Sequence, residues 1–362
     1  MTIVKRDKVY IEFLRIFAAF FVIFNHTTDR GFFLFSLYEP ATLQYWAYMF
    51  LSIFCKFAVP LFFAISGRLL LGRQESVKTV FEKRVLKTVL ILLVFSVIFY
   101  VVQVITGDEP GFSLIYFIKQ LLTSKVSYTY WYFYAYIPFL IILPVMRQFV
   151  KNLEDKYFIY IFICFIVFRD MIPVANIIFG KNIYSLNSEF ALGWVTDTIF
   201  IFPVLGYFLE ERVDISKVKK YLPALWAVNF AAIGLDMFLT YYRAKLMGVC
   251  NQLVSQQFHS TFVIINVVCL YLTAKYLFTH FDVKPSVRNM VESLGGASLG
   301  IYLLHHMLLD ILPFSWRLWS YEVNVLHINM MLSVLSVCFG VMIAGYVITI
   351  ILKKLPGFNK LI

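Results

Sequence analysis

Charge is what this chain has least of. Of its 362 residues only 15% are Asp, Glu, Lys or Arg, against 61% hydrophobic, and the mean hydropathy is +0.79. A soluble globular domain carries about 25% charged residues, so composition excludes one. Cysteine is scarce and scattered: Cys55, Cys164, Cys250, Cys269 and Cys338 stand singly, mostly inside apolar runs. No CxxC pair or metal-ligand spacing occurs, so the five read as small core residues and no metal is expected. No internal repeat of the kind many secondary transporters carry is evident. The connections are too short for a soluble domain, and one membrane domain over 1–362 is expected. No small-residue cleavage site follows the first apolar run, which therefore reads as a retained signal-anchor.

What is present is apolar length. Phe (39) and Tyr (23) are abundant, as lipid-facing surfaces and interfacial belts require. Ten segments are predicted to span, near 9–27, 43–67, 85–106, 130–149, 157–172, 191–209, 221–242, 258–280, 294–313 and 328–352. The fifth is short, with Pro173 expected to end it. Segment 112–123 is too short to cross and reads as an interfacial amphipathic helix. The fold class expected is an all-α membrane protein, a bundle of about ten transmembrane helices, not a barrel.

Lys and Arg sort by side. Connections on the side of the two termini hold 22 of the 32, the opposite connections 8, and Arg15 and Lys56 lie within spans. By the positive-inside rule both termini are cytoplasmic. The net charge of +11 is thereby mainly a topology signal, and no nucleic-acid partner is needed to explain it.

The chain is organised around its first span, Tyr10 to Thr27, which carries Glu12, Arg15 and His26. The eleven steps from Arg15 to His26 are close to three helical turns, so both project from one face, about 16 Å apart along the axis. Arg15 falls toward the cytoplasm and His26 toward the outside. Ionisable residues within a span mark function by default; the structural alternative is a snorkelling arginine and an interfacial histidine. The second span ends FFAISG at 62–67, where Ser66-Gly67 suits a helix end with glycine ready for φ > 0. Arg68 and Arg73 follow, and Arg84 and Lys87, three apart, share the next helix face. Such a cationic mouth suits a polyphosphate ligand, although positive-inside placement explains the same residues.

Other polar residues lie within the spans. Lys56, mid-span, needs a partner or a cavity. Asp197 and Asp236 are able to pair with it or to line an acceptor pocket. Trp131, with Tyr132, is either an interface anchor or a sugar platform. His305 and His306 are about 100° apart on a helix, so at most one faces a site. His259 and His327 read as interfacial, and His280 as a cytoplasmic end residue.

Taken in order, Arg15-x10-His26, FFAISG at 62–67 and Arg84-x-x-Lys87 resemble acyltransferase family 3, the integral-membrane acyltransferases of cell-surface glycans. Ser298-Leu-Gly-Ile-Tyr302-Leu-Leu-His305 is similar to the family's late S-x-G-I-Y-L-L-H stretch. Two positions depart from the pattern: Lys87 stands where a second arginine is common, and Glu12 where an aspartate is. The resemblance implies transfer of an acyl group, usually acetyl from acetyl-CoA as cosubstrate, to a hydroxyl of a polysaccharide or lipid-linked glycan beyond a bacterial plasma membrane. Partners implied are membrane lipid, the glycan acceptor and other glycan-biosynthesis proteins. His26 is then the general base or a transient acyl carrier, and Arg15, oriented by Glu12, holds the coenzyme or polarises the thioester. Ser66, Arg68, Arg73, Arg84 and Lys87 become coenzyme contacts. Lys56, Trp131, Asp197, Asp236, Tyr302 and His305 become acceptor contacts, His305 being favoured over His306. The rival readings are a glycan exporter without chemistry, a succinyl-transferring relative, and a structural subunit of a synthesis complex.

Overall fold

The computed structural model describes residues 9–178, 193, 197–248, 253 and 262–362. Lys5, Arg6, Lys8, Lys181, Cys250 and His259 lie outside these, as do the starts of the sixth and eighth predicted spans. Helices occupy the apolar runs, and no strand occurs among the described residues. In order they are α1 (Val9–Asn25), α2 (Leu43–Leu70), α3 (Val77–Thr106), α4 (Leu114–Leu122), α5 (Tyr128–Asn152), α6 (155–178) and α7 (Thr198–Glu211). There follow α8 (Ile215–Met247), α9 (Val263–His280), α10 (Pro285–Gly296), α11 (Ser298–Ile311), α12 (Phe314–Asn324), α13 (Met330–Lys354) and α14 (Phe358–Leu361).

Among the described residues six helices, α2, α3, α5, α8, α9 and α13, are long and apolar enough to cross a membrane, and α10 with α11 makes a seventh if the two are one broken span. The chain is a multi-pass membrane protein. Among the described residues α1 has 17 residues and α7 has 14, so neither is among the six. Thr27 stops α1, its hydroxyl donating to the Phe24 carbonyl at 2.7 Å and accepting the Phe32 N–H at 2.9 Å. Asp197 caps α7, accepting the Ile199 N–H at 3.0 Å.

Two expectations about breaks are corrected. Pro173 does not end its helix, which continues as Ile172–Ile178 after a π-turn over Ile166–Met171. The widened turn absorbs the proline's missing N–H. Gly67 likewise ends nothing: its helix runs on to Leu70, and Gly67 is not among the glycines of positive φ. A 3₁₀ turn over Cys55–Phe57 does interrupt α2, four residues ahead of Pro60 and so where the proline leaves a carbonyl without its donor.

The described chain forms two compact units, Met1–Arg73 with Gln148–Gly295, and Gln74–Arg147 with Gly296–Ile362. In the first, α2 and α7 cross in backbone contact. A Cβ on Gly67 would lie 1.9 Å from the Pro203 carbonyl oxygen, and one on Gly206 would lie 1.8 Å from that of Ala64. Glycine is there for close approach. An aromatic stripe on α1 packs against the kink in α2, with Phe17 stacked on Phe57 at 5.3 Å and Phe21 edge-on to it at 5.4 Å. In the second unit α11 lies against α13 with Gly300 facing Thr349 and Gly345 facing Ile301.

Candidate active site

In the first unit, α1 presents the predicted ion pair. Arg15 donates from one terminal nitrogen to both Glu12 oxygens, at 2.9 and 3.0 Å, as i,i+3 spacing permits. Gly295 packs directly on Glu12, so that a Cβ there would meet the Glu12 Cβ at 2.5 Å. His26, half-buried, lies one residue beyond α1, in a turn whose N–H bonds to the Ile23 carbonyl at 3.0 Å. Its neighbour Asn25 accepts from Lys56 Nζ at 3.0 Å, and that ammonium sits 4.3 Å from the centre of the Phe32 ring. Lys56 is only 5% exposed. The buried lysine is thus tied to the residue preceding His26, and the 3₁₀ turn in α2 is what carries it there.

The end of α2 is a second cluster. Arg68 pairs with Glu210 at 3.0 Å, and Lys275 pairs with the same carboxylate at 3.0 Å. The Tyr10 and Tyr271 hydroxyls both donate to Glu210, at 2.6 and 3.1 Å. One carboxylate therefore binds two cations and two phenols, and the group keeps a net charge of one positive unit. The Gly67–Gly206 crossing sets this up, because Arg68 and Glu210 are the next charged residues on the two crossing helices. Ser66 turns away from it, donating to the Phe62 carbonyl at 2.9 Å. Arg73 is exposed and makes no ion pair among the described residues. Asp197 is committed to capping α7, and Asp236 is buried at 1% exposure.

The second unit repeats the arrangement of one carboxylate between two cations. Glu75, in the connection before α3, accepts from Arg84 Nε at 2.8 Å and from Arg147 at 2.8 Å. Hydrogen bonds from Arg84 and then Arg147 outweigh partial burial and hold the Glu75 carboxyl down at about 2. A carboxylate depressed in the folded state stabilises the fold above its ordinary value of 4.5, and that contribution drains away as pH falls toward about 2. Glu75→Gln is accordingly expected to lower the melting temperature at neutral pH and to flatten its decline between those limits. A variant with an unchanged acid limb would contradict this.

Lys87 is exposed without an ion pair among the described residues. Trp131 is half-buried just after the turn that opens α5. Tyr302 is buried and donates to the Thr129 carbonyl, and His305, fully buried, bonds the Tyr302 carbonyl. His306, the histidine the sequence reading set aside, bonds Ser127 at 2.7 Å.

Sequence reasoning missed Glu75, Arg147, Glu210, Lys275, Tyr10 and Tyr271. The available signal was an acidic residue beside each cationic end of an apolar run.

No curated protein and no solved structure matches the chain. Residues 8–350 match the acyltransferase domain that defines acyltransferase family 3. That match takes in α1 with Glu12, Arg15 and His26, both cation clusters and the late S-L-G-I-Y-L-L-H stretch. With nearly the whole chain covered, this multi-pass membrane protein belongs to acyltransferase family 3.

Proposed function

We propose that the protein moves an acetyl group from cytoplasmic acetyl-CoA to a hydroxyl of an extracytoplasmic polysaccharide or lipid-linked glycan. The observation that carries this is α1 itself: an arginine held by a carboxylate near one end, and a histidine exposed enough to work just past the other. The proposal includes ten crossings with both termini cytoplasmic, in a bacterial plasma membrane, and it rests for orientation on the 22 to 8 division of basic residues.

The residues fit a polyanionic coenzyme. Glu210 and Glu75 each brace two cations, so each of the two clusters keeps an excess of positive charge suited to phosphate. Arg73 and Lys87 add exposed cations with no internal ion pair among the described residues. Bound acetyl-CoA supplies a thioester, whose acyl carbon is open to attack by a hydroxyl. Arg15, fixed by Glu12, holds the coenzyme on the cytoplasmic side of the reacting carbon. His26 removes the acceptor's proton, or takes the acyl group itself and passes it on. Lys56, through Asn25, holds the turn that aims the imidazole.

Acetyl-CoA binding to the purified protein tests the reading. Wild type is expected to bind, and Arg73→Ala and Lys87→Ala are each expected to weaken binding by about tenfold, the loss of one charge-assisted phosphate contact. Folded wild type that fails to bind would remove the coenzyme from this account. Transfer of succinyl from succinyl-CoA, with none of acetyl from acetyl-CoA, would change the donor and leave the rest.

A further inference from the structure

The 3₁₀ turn Tyr128–Tyr130 that opens α5 is tied to α11 by backbone-directed bonds: Tyr302 donates to the Thr129 carbonyl and Tyr130 donates to that of Leu303 at 3.0 Å. Those two bonds suffice to fix the turn. A third line of side chains crosses the same joint. Ser127 Oγ lies 2.7 Å from His306 Nδ1, and His306 Nε2 lies 3.6 Å from Asp310 Oδ2. The carboxylate is itself held, accepting from the Tyr128 hydroxyl at 3.2 Å and from Trp316 Nε1 at 3.1 Å. Phe99 stacks on the imidazole at 5.0 Å.

We propose that Ser127, His306 and Asp310 form a second acyl-transfer centre, with Ser127 as nucleophile toward an activated acyl ester or thioester. Asp310 Oδ2, at 3.6 Å, lies beyond direct hydrogen-bond reach of Nε2 but puts negative charge on that side of the ring. In this proposal the imidazole is the tautomer protonated at Nε2, which leaves Nδ1 with a lone pair toward the serine. The Ser127 Oγ–H then donates to Nδ1, the relation of nucleophile to base, although the ring is used the opposite way round from the serine-protease arrangement. In the first half-reaction Oγ bonds to the acyl carbon while that carbon's bond to the leaving oxygen or sulfur breaks. The Oγ proton passes to Nδ1 and on to the leaving atom. In the second, an incoming hydroxyl gives its proton to Nδ1 and attacks the seryl ester, the bond from the acyl carbon to Oγ breaks, and Oγ takes that proton from Nδ1, restoring Ser127 and the neutral imidazole. Oγ has a further hydroxyl neighbour, Thr129 Oγ1 at 2.9 Å, to steady it during the exchange. Ser127 is 2% exposed, whereas Tyr128, edge-on to His306 at 4.2 Å, is 49% exposed. An acyl group must reach Ser127 past the Tyr128 ring, the exposed side chain against His306.

This centre lies wholly in the second unit and does not rest on the coenzyme reading. The test is to incubate purified full-length protein with p-nitrophenyl acetate or, separately, acetyl-CoA, quench in acid, and map acetylated peptides by mass spectrometry. p-Nitrophenyl acetate needs no coenzyme site, so the two donors fail independently. Acetylation at Ser127 with p-nitrophenyl acetate is expected, and acetyl-CoA giving it too would identify the thioester as a donor. His306→Gln keeps a hydrogen-bonding side chain beside Ser127 and is expected to slow labelling at least tenfold. A folded wild type unlabelled at Ser127 by either donor would overturn the proposal. Labelling in His306→Gln at the wild-type rate would do the same, as a purely structural serine–histidine bond predicts.

Discussion

Gly206→Ala is expected to drive α7 off α2 and to lower the thermal midpoint of the purified protein by on the order of 5–10 °C. The new Cβ would stand 1.8 Å from the Ala64 carbonyl oxygen and 2.8 Å from its Cα. Both are backbone atoms of a helix, which no rotamer change can move aside. Relief requires the two helices to separate, at a cost of about 3 kcal/mol or more. The damage reaches chemistry as well, because Arg68 follows Gly67 and Glu210 lies one turn beyond Gly206. Separated helices leave Glu210 and its two cations partly buried and mispaired. Gly340→Ala is the control: nothing lies within 4 Å of its added Cβ, and an exposed helical glycine replaced by alanine is neutral or gains up to about 1 kcal/mol. If Gly206→Ala melts with wild type, the crossing is looser than its geometry states.

The same crossing shows where the sequence was readable. Apolar runs predicted helices in place because a membrane helix announces itself by composition over one continuous stretch. The Glu12–Arg15 pair was readable for the same reason, being an i,i+3 contact on one helix. Contacts of long range were not. Glu210 lies 200 residues from Tyr10, and Arg147 lies 72 residues from Glu75. Periodicity reports which face a residue is on, never which helix it meets. Gly67 was misread for a related reason. A glycine beside a serine near the end of an apolar run has two physical explanations, a positive φ or a close neighbour, and the neighbour, Pro203, sits on another helix. His305 and His306 were separable by angle but not by partner, since Ser127 is 179 residues away from the imidazole it meets.

His26→Ala is expected to reduce acetyl transfer by about 10²- to 10⁴-fold, the range of a lost general base, while leaving acetyl-CoA binding and melting temperature near wild type. The site makes those readouts separable. His26 lies past the end of α1, outside the ion pair of Arg15 with Glu12 and outside both cation clusters. Its removal leaves those ion pairs and their carboxylates in place. Arg15→Lys should behave differently: an ammonium keeps the charge beside Glu12 but loses the planar fork, so turnover falls while the helix stays paired. The two versions of His26 chemistry part company when acceptor is withheld. An acyl carrier leaves acetyl on the peptide containing His26 after an acid quench, whereas a general base leaves that peptide unmodified. Turnover unchanged in folded His26→Ala would exclude both, and would shift the search for the base to the histidine already paired with a serine hydroxyl, His306.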